Sequence, residues 1–184
     1  SGRAVPGVDV IDLGGGSLVI PAGALEASIE LELVEDGLYE RDETREVRLL
    51  TTSSGALGSA VRHLLTVVED GPAPRVSFVL PSVTLAEGSG VHDIPLVLSG
   101  PSVVPLTVQV ELSGAVSPGE LELLGGGLVV FAPGQLQATL RLQAGDDDLD
   151  EPEERAILRL VALAPLATDA LSRSVVKLVD EDPA

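Results

Sequence analysis

One stretch of this 184-residue chain occurs twice. Ile20-Pro21-Ala22-Gly23 through Leu49 aligns without a gap with Phe131-Ala132-Pro133-Gly134 through Leu160, Gly23 falling on Gly134 at an offset of 111 residues. Leu25 matches Leu136, Asp36 matches Asp147, Glu40 matches Glu151 and Glu43 matches Glu154. The same offset carries Glu69-Asp70-Gly71-Pro72 onto Asp180-Glu181-Asp182-Pro183. Upstream, Gly2 and Gly7 match Gly114 and Gly119 at 112, which places a one-residue loss before the Gly14-Gly15-Gly16 turn. A repeat of about 110 residues has the size of a β-sandwich domain, far above the 20–50 residues of a solenoid unit. The frame predicts residues 1–71 as the C-terminal part of a first module and residues 72–184 as a complete second module. The counterpart of Pro72 to Leu112 has no match in the first copy.

Both copies carry the period of two that marks half-buried strands. Leu136, Ala138, Leu140, Leu142 and Ala144 alternate with Gln137, Thr139, Arg141 and Gln143. In the first copy Leu25, Ala27, Ile29, Leu31 and Leu33 alternate with Glu26, Ser28, Glu30 and Glu32. Leu106, Val108, Val110 and Leu112 form another such face, as do Ile94, Leu96 and Leu98. Ala156, Leu158 and Leu160 continue the series, interrupted by Ile157, and Val176 and Leu178 close it. Gly/Pro clusters punctuate these runs: Glu87-Gly88-Ser89-Gly90, Ser99-Gly100-Pro101, Gly125-Gly126-Gly127. No amphipathic helix is legible, and Pro165 makes 161–172 a loop. The fold expected is an all-β antiparallel sandwich.

Composition removes several function classes. Eleven basic residues face 29 acidic ones, a formal charge of −18. Phosphate binding needs clustered Lys and Arg, so no nucleic acid is expected as a partner. No apolar run reaches the length of a membrane span. Zero Cys removes a disulfide framework, a thiolate metal site and a Cys nucleophile. Gly14-Gly15-Gly16-Ser17 lacks the Lys and the helix of a phosphate loop and reads as a turn. No Ser stands in the context of a catalytic triad, and His63 and His92 read as ordinary strand or surface residues. Phe78, Phe131 and Tyr39 are too few for a carbohydrate-stacking platform. The chain is expected not to be an enzyme. A single Lys, Lys177, and abundant Ala, Gly, Leu, Val and Arg point to a GC-rich, bacterial coding bias.

The acids gather where strands end. Asp146-Asp147-Asp148-Leu149-Asp150-Glu151-Pro152-Glu153-Glu154 follows one strand directly, and Asp180-Glu181-Asp182 ends the last. In an antiparallel sandwich alternate loops share one end, so these carboxylates become neighbours and repel unless a cation offsets them. Ca²⁺ accepts six to eight oxygens from flexible loops, whereas Mg²⁺ keeps its water and demands an octahedron. Without His or Cys nearby, zinc and copper are disfavoured.

The segments VVFAPGQLQATLRLQAGDDDLDEPEERAILRL and VVKLVDEDP resemble a Calx-beta domain, with its F-x-x-G turn, alternating strand, D-D-x-x-x-E-x-x-E run and acidic final strand end. The first copy offers LVIPAGALEASIELELVEDGLYERDETREVRLL and LLTVVEDG. Its opening GRAVPGVDV resembles the family's G-x-A-x-x-G-x-D-Y segment. The resemblance implies a seven-stranded, immunoglobulin-like β-sandwich in tandem Calx-beta repeats, with Ca²⁺ held at one end. Carried over by position, it implies Glu87, Asp146, Asp147, Glu151, Asp180 and Asp182 as metal ligands in the second copy. Asp148 and Glu181 are additions to that set, and Glu154 matches a residue that orients loops. In the first copy it implies Asp9, Glu35, Asp36, Glu40, Glu69 and Asp70, with Glu43 the counterpart of Glu154. Leu121 stands where the family has a ligand-type Asp, and the first copy has no counterpart of Glu87.

The function expected is a calcium-binding structural or adhesive repeat of an exported or cell-surface protein, extracellular in location. The alternatives are a calcium-sensing regulatory domain, or a metal-free spacer or filament subunit assembling by strand complementation. Calcium ions and neighbouring repeats of the same protein are the expected partners. The first copy's apolar faces at Leu25, Ile29, Leu31, Val47 and Leu49 lack the sheet that should cover them, which leads to an expectation of self-association.

Overall fold

A computed structural model describes residues 2–4, 9–116, 119–146 and 149–180. The chain divides into two compact units, Ser1–Gly71 and Pro72–Ala184.

The first unit holds β1 (Gly2–Arg3), β2 (Val10–Asp12), β3 (Leu31–Leu33), β4 (Glu43–Arg48) and β5 (Arg62–Val67). β4 and β5 form an antiparallel pair, Glu43 opposite Val67 and Arg48 opposite Arg62. β2 and β3 form a second, Val10 opposite Leu33 and Asp12 opposite Leu31. β1 adds two residues parallel to β4. Between β2 and β3, the Asp12 carboxylate accepts the N–H groups of Gly14 and Gly16 at 2.9 and 2.6 Å, so the triple glycine is the turn expected of it.

The second unit holds β6 (Arg75–Phe78), β7 (Ser82–Ala86), β8 (Gly90–Leu98), β9 (Leu106–Ala115), β10 (Leu121–Leu123), a 3₁₀ turn at Leu124–Gly127, β11 (Leu128–Phe131), β12 (Gln137–Ala144), β13 (Glu154–Ala162), β14 (Ala167–Thr168) and β15 (Arg173–Val179). They make two five-stranded sheets, β10-β12-β8-β6-β14 and β11-β9-β13-β15-β7. The chain leaves one sheet after β6, passes Pro81 and enters the other as β7, parallel to β15. The core has contributions from both sheets. Val76, Phe78, Leu96, Leu98, Leu140 and Leu142 come from one, and Leu106, Val108, Val110, Phe131, Leu158, Leu160, Val176 and Leu178 from the other. The alternation explains this distribution, since every second residue of a strand faces the same way. Ile157, which interrupts the pattern, lies on the outer face.

Two pairing registers repeat between the units. Val10 opposite Leu33 becomes Leu121 opposite Ala144, and Glu43 opposite Val67 becomes Glu154 opposite Leu178, each at an offset of 111. Two hydrogen bonds repeat in the same way. The N–H of Val34 donates to Asp9 O at 3.0 Å and that of Gly145 to Glu120 O at 2.7 Å. The offset of 111 therefore already holds at Asp9, and the one-residue loss lies before it rather than just before the triple-glycine turn. The start of the chain departs from the repeat: β1 runs parallel to β4, while the matching end of β9 runs antiparallel to β13.

Candidate metal centre

In the second unit three carboxylates converge. Glu87, Glu120 and Glu151 each present an oxygen, and these oxygens lie within 4.8 Å of one another. Glu87 follows β7, where its own N–H donates to Val179 O at 3.0 Å. Glu120 sits in the turn before β10, and Glu151 closes the acidic loop before β13. The N–H of Glu151 donates to Asp180 Oδ2 at 2.5 Å, tying that loop to the end of β15.

Two glycines permit this convergence. A Cβ on Gly145 would stand 2.4 Å from Gly119 O, so no side chain fits between the end of β12 and the Glu120 turn. Gly88 has φ of +62°, and a Cβ there would stand 2.9 Å from the Asp146 carboxyl carbon. The Gly88 N–H donates to Gly145 O at 2.6 Å.

Burial makes the cluster costly. Glu87 is 2% exposed and Glu120 3%. Among the described residues no donor reaches either oxygen of Glu120 or Glu151 Oε2, and the side-chain neighbours of Glu120 are the carboxylates of Glu154 and Glu151. Two unit charges 4.8 Å apart repel by about 3 kcal/mol at an effective dielectric constant near 20. Burial first, and then the carboxylates of Glu154 and Glu151, push the Glu120 carboxyl up to about 7. A buried carboxylate that no donor reaches has two remedies here, a proton or a cation.

The first unit repeats the arrangement with Asp9, Glu40 and Glu43, whose oxygens also lie within 4.8 Å of one another. Glu40 is raised by burial first, then by the charges of Asp9, Glu43, Asp36 and Glu69. Glu43 is raised by burial and by Asp9. The N–H of Glu40 donates to Glu69 Oε2 at 2.7 Å, the counterpart of the bond from Glu151 to Asp180.

Of the residues singled out from sequence, the structure brings Glu87 and Glu151 together in one unit and Asp9 and Glu40 in the other. Asp146 lies against Gly88, beside the first cluster. Asp180 and Glu69 hold the backbone of a neighbouring acid. Asp36 accepts the N–H of Leu38 at 2.9 Å and so shapes its own turn. Glu35 and Asp70 are exposed and lie outside both clusters. Asp147, Asp148, Glu181 and Asp182 lie outside the described residues. Sequence reasoning leaves Glu120 out of the ligand set, because alternation points it away from Leu121. In a frame of 112, Asp9 falls on Leu121, which makes the second copy look deficient. At 111 Asp9 falls on Glu120, and the apparent loss of a ligand disappears. Glu43 also joins its cluster directly instead of merely orienting a loop.

The sandwich is of the immunoglobulin-like, Calx-beta type. It resembles the crystal structure of the apo-form Calx CBD1 domain, with a TM-score of 0.53 and 26% identity, covering 60% of this chain and 99% of that one. The calcium binding domain CBD12 of CALX1.1 gives a TM-score of 0.53 and 26% identity, over 59% of this chain and 45% of that one. In sequence, the chain is 26% identical over 171 residues to adhesion G-protein coupled receptor V1 of Danio rerio. That match covers 89% of this chain and 3% of the receptor, so the chain spans a small fraction of that relative's length. No family model matches the chain. Among the described residues no helix is long and apolar enough to cross a membrane.

Proposed function

We propose that the second unit is a non-enzymatic calcium-binding module. Glu87, Glu120 and Glu151 would hold the ion, with Asp146 at the rim and Asp180 positioning the backbone of Glu151. The observation that carries this reading is the pair of buried Glu120 oxygens that no donor among the described residues reaches, set beside further carboxylates. The donor set fits the group: all the oxygens are hard ligands on loops, which is what Ca²⁺ takes. A bound divalent cation would supply positive charge to this carboxylate cluster. The chain's own residues do the rest. Gly145 and Gly88 let the loops close, and the bond from Glu151 to Asp180 ties the acidic loop to the last strand. The same chemistry applies in the first unit to Asp9, Glu40 and Glu43.

The reading extends to a structural or adhesive repeat of an exported or cell-surface protein, extracellular and in contact with neighbouring repeats of the same protein. Support for this comes from the likeness to an adhesion receptor and the tandem repeat. Isothermal titration of the chelator-treated chain with CaCl₂ at pH 7.5 tests the metal reading. Heat of binding that is reduced by Glu151→Gln is the expected result. Calcium at 100 times its dissociation constant should add about 2.7 kcal/mol of stability. No heat and no shift in melting at millimolar calcium would refute it.

A further inference from the structure

The second unit concentrates its positive charge on one sheet face. Of its six basic residues, Arg155, Arg159, Arg173 and Lys177 all lie on β13 and β15. Parity sends these four the same way. Ala156, Leu158 and Leu160 of β13 and Ser174, Val176 and Leu178 of β15 are buried, so the residues that alternate with them face away from the core. The pairing register then sets them side by side, with Arg155 opposite Lys177, Ile157 opposite Val175 and Arg159 opposite Arg173.

Like charges directly opposite one another cost stability, and this ladder places two such pairs on one face. Relief from within the chain is slight. Arg155 meets Glu153 at 2.8 Å and Arg159 meets Glu111 at 3.6 Å, with every one of these side chains more than a third exposed. Such exposed pairs offset little. Among the described residues no carboxylate pairs with Arg173 or Lys177. Solubility does not require the arrangement, since a net charge of −18 already keeps copies apart.

The spacing selects a partner. Neighbouring strands lie about 4.8 Å apart, and four residues along a strand span about 13 Å. The face therefore presents two cation pairs about 13 Å apart, with an apolar pair between them. An extended polypeptide with acids at positions i and i+4 and a branched apolar residue at i+2 carries the complement at the same spacing, because its alternate side chains share one face. β13 and β15 carry no aromatic residue on which a sugar or a base could stack. A second copy of this chain brings its own −18 and is repelled at long range.

We propose that the outer face of β13 and β15 docks an extended acidic segment of another protein, with Asp or Glu at i and i+4 and Val or Ile at i+2. One carboxylate meets Arg155 and Lys177, the other meets Arg159 and Arg173, and the apolar side chain covers Ile157 and Val175. The inference is independent of calcium, since it uses neither carboxylate cluster.

The test uses the full chain, isotopically labelled, in chelator, so that no calcium bridges a peptide to the acidic clusters. The probes are two peptides of one composition. Ser-Thr-Glu-Thr-Val-Thr-Glu-Thr-Ser places both Glu and the Val on one face, and Ser-Thr-Glu-Thr-Val-Glu-Thr-Thr-Ser turns the second Glu to the other. The first should shift the amide resonances of residues 155–159 and 173–177 and bind about two- to fivefold more tightly than the second, the scale of one exposed ion pair. Arg173→Glu and the milder Arg173→Gln should each reduce that preference without lowering the urea midpoint, because each removes a cation that faces another. Equal binding of the two peptides, shifts confined to other residues, or a preference unchanged in both variants would overturn the proposal. So would heparin shifting these amides where neither peptide does, or a dimer of the unaltered chain, seen by sedimentation, whose interface maps to this face.

Discussion

Glu120→Gln isolates the energetic consequence of the buried cluster. The carboxyl is raised from an ordinary 4.5 to about 7 by burial first, and then by Glu154 and Glu151. The folded state therefore holds a proton that the unfolded state has released. The resulting stability is fully present below about pH 4.5 and is lost as pH rises through about 7. Each tenfold difference in proton affinity between the folded and unfolded states corresponds to about 1.4 kcal/mol. Without calcium, ionised Glu120 then costs up to about 3 kcal/mol at pH 8, less whatever loop relaxation recovers. Gln keeps the shape and removes the charge. In chelator, the variant should exceed the parent chain in stability by about 1–3 kcal/mol at pH 8 and match it near pH 4.5. In millimolar calcium the order should invert, because the parent gains binding energy and the variant gains less. With no Trp and one Tyr, the assay is urea unfolding followed by far-UV circular dichroism. Equal stability of the two proteins at pH 8 in chelator would refute the reasoning.

Leu142→Ala should cost about 3–5 kcal/mol, the range for a fully buried Leu, while Leu31→Ala, its counterpart at half-buried β3, should cost under about 1.5 kcal/mol; urea midpoints of the two variants check the contrast. Gly145→Ala forces a Cβ to within 2.4 Å of Gly119 O. It should displace the Glu120 turn and weaken calcium binding about tenfold or more, read by titration calorimetry, with unfolding easier by about 2 kcal/mol.

Much of the fold is legible because alternation and repetition are local properties of a chain. The apolar faces of β8, β9, β12, β13 and β15 can be read residue by residue, since a strand's sidedness depends only on parity. The gapless match of Gly23 with Gly134 shows one sequence pattern used twice. The candidate site is less legible. Glu87 and Glu151 are implied by the family resemblance, but Glu120 is set aside by a one-residue choice of frame that parity cannot correct. The registers of β2 with β3 and β10 with β12 settle that choice, because only paired backbones show which residue stands beside which.

The same division holds for the rest of the molecule. Sequence alone determined that strands form, where turns interrupt them, and that acids collect at strand ends, because dihedral preference, parity and local charge need no partner. Tertiary structure alone decided which acids meet. Asp36 turns inward on its own loop, Glu69 and Asp180 hold backbone, and Glu120 is buried beside other carboxylates, since convergence depends on contacts between residues distant in the chain. It also decided that matching sequences have unlike fates. Leu140 is covered through its place beside β8, whereas Ile29 stands exposed in a segment where, among the described residues, β3 pairs with β2 alone.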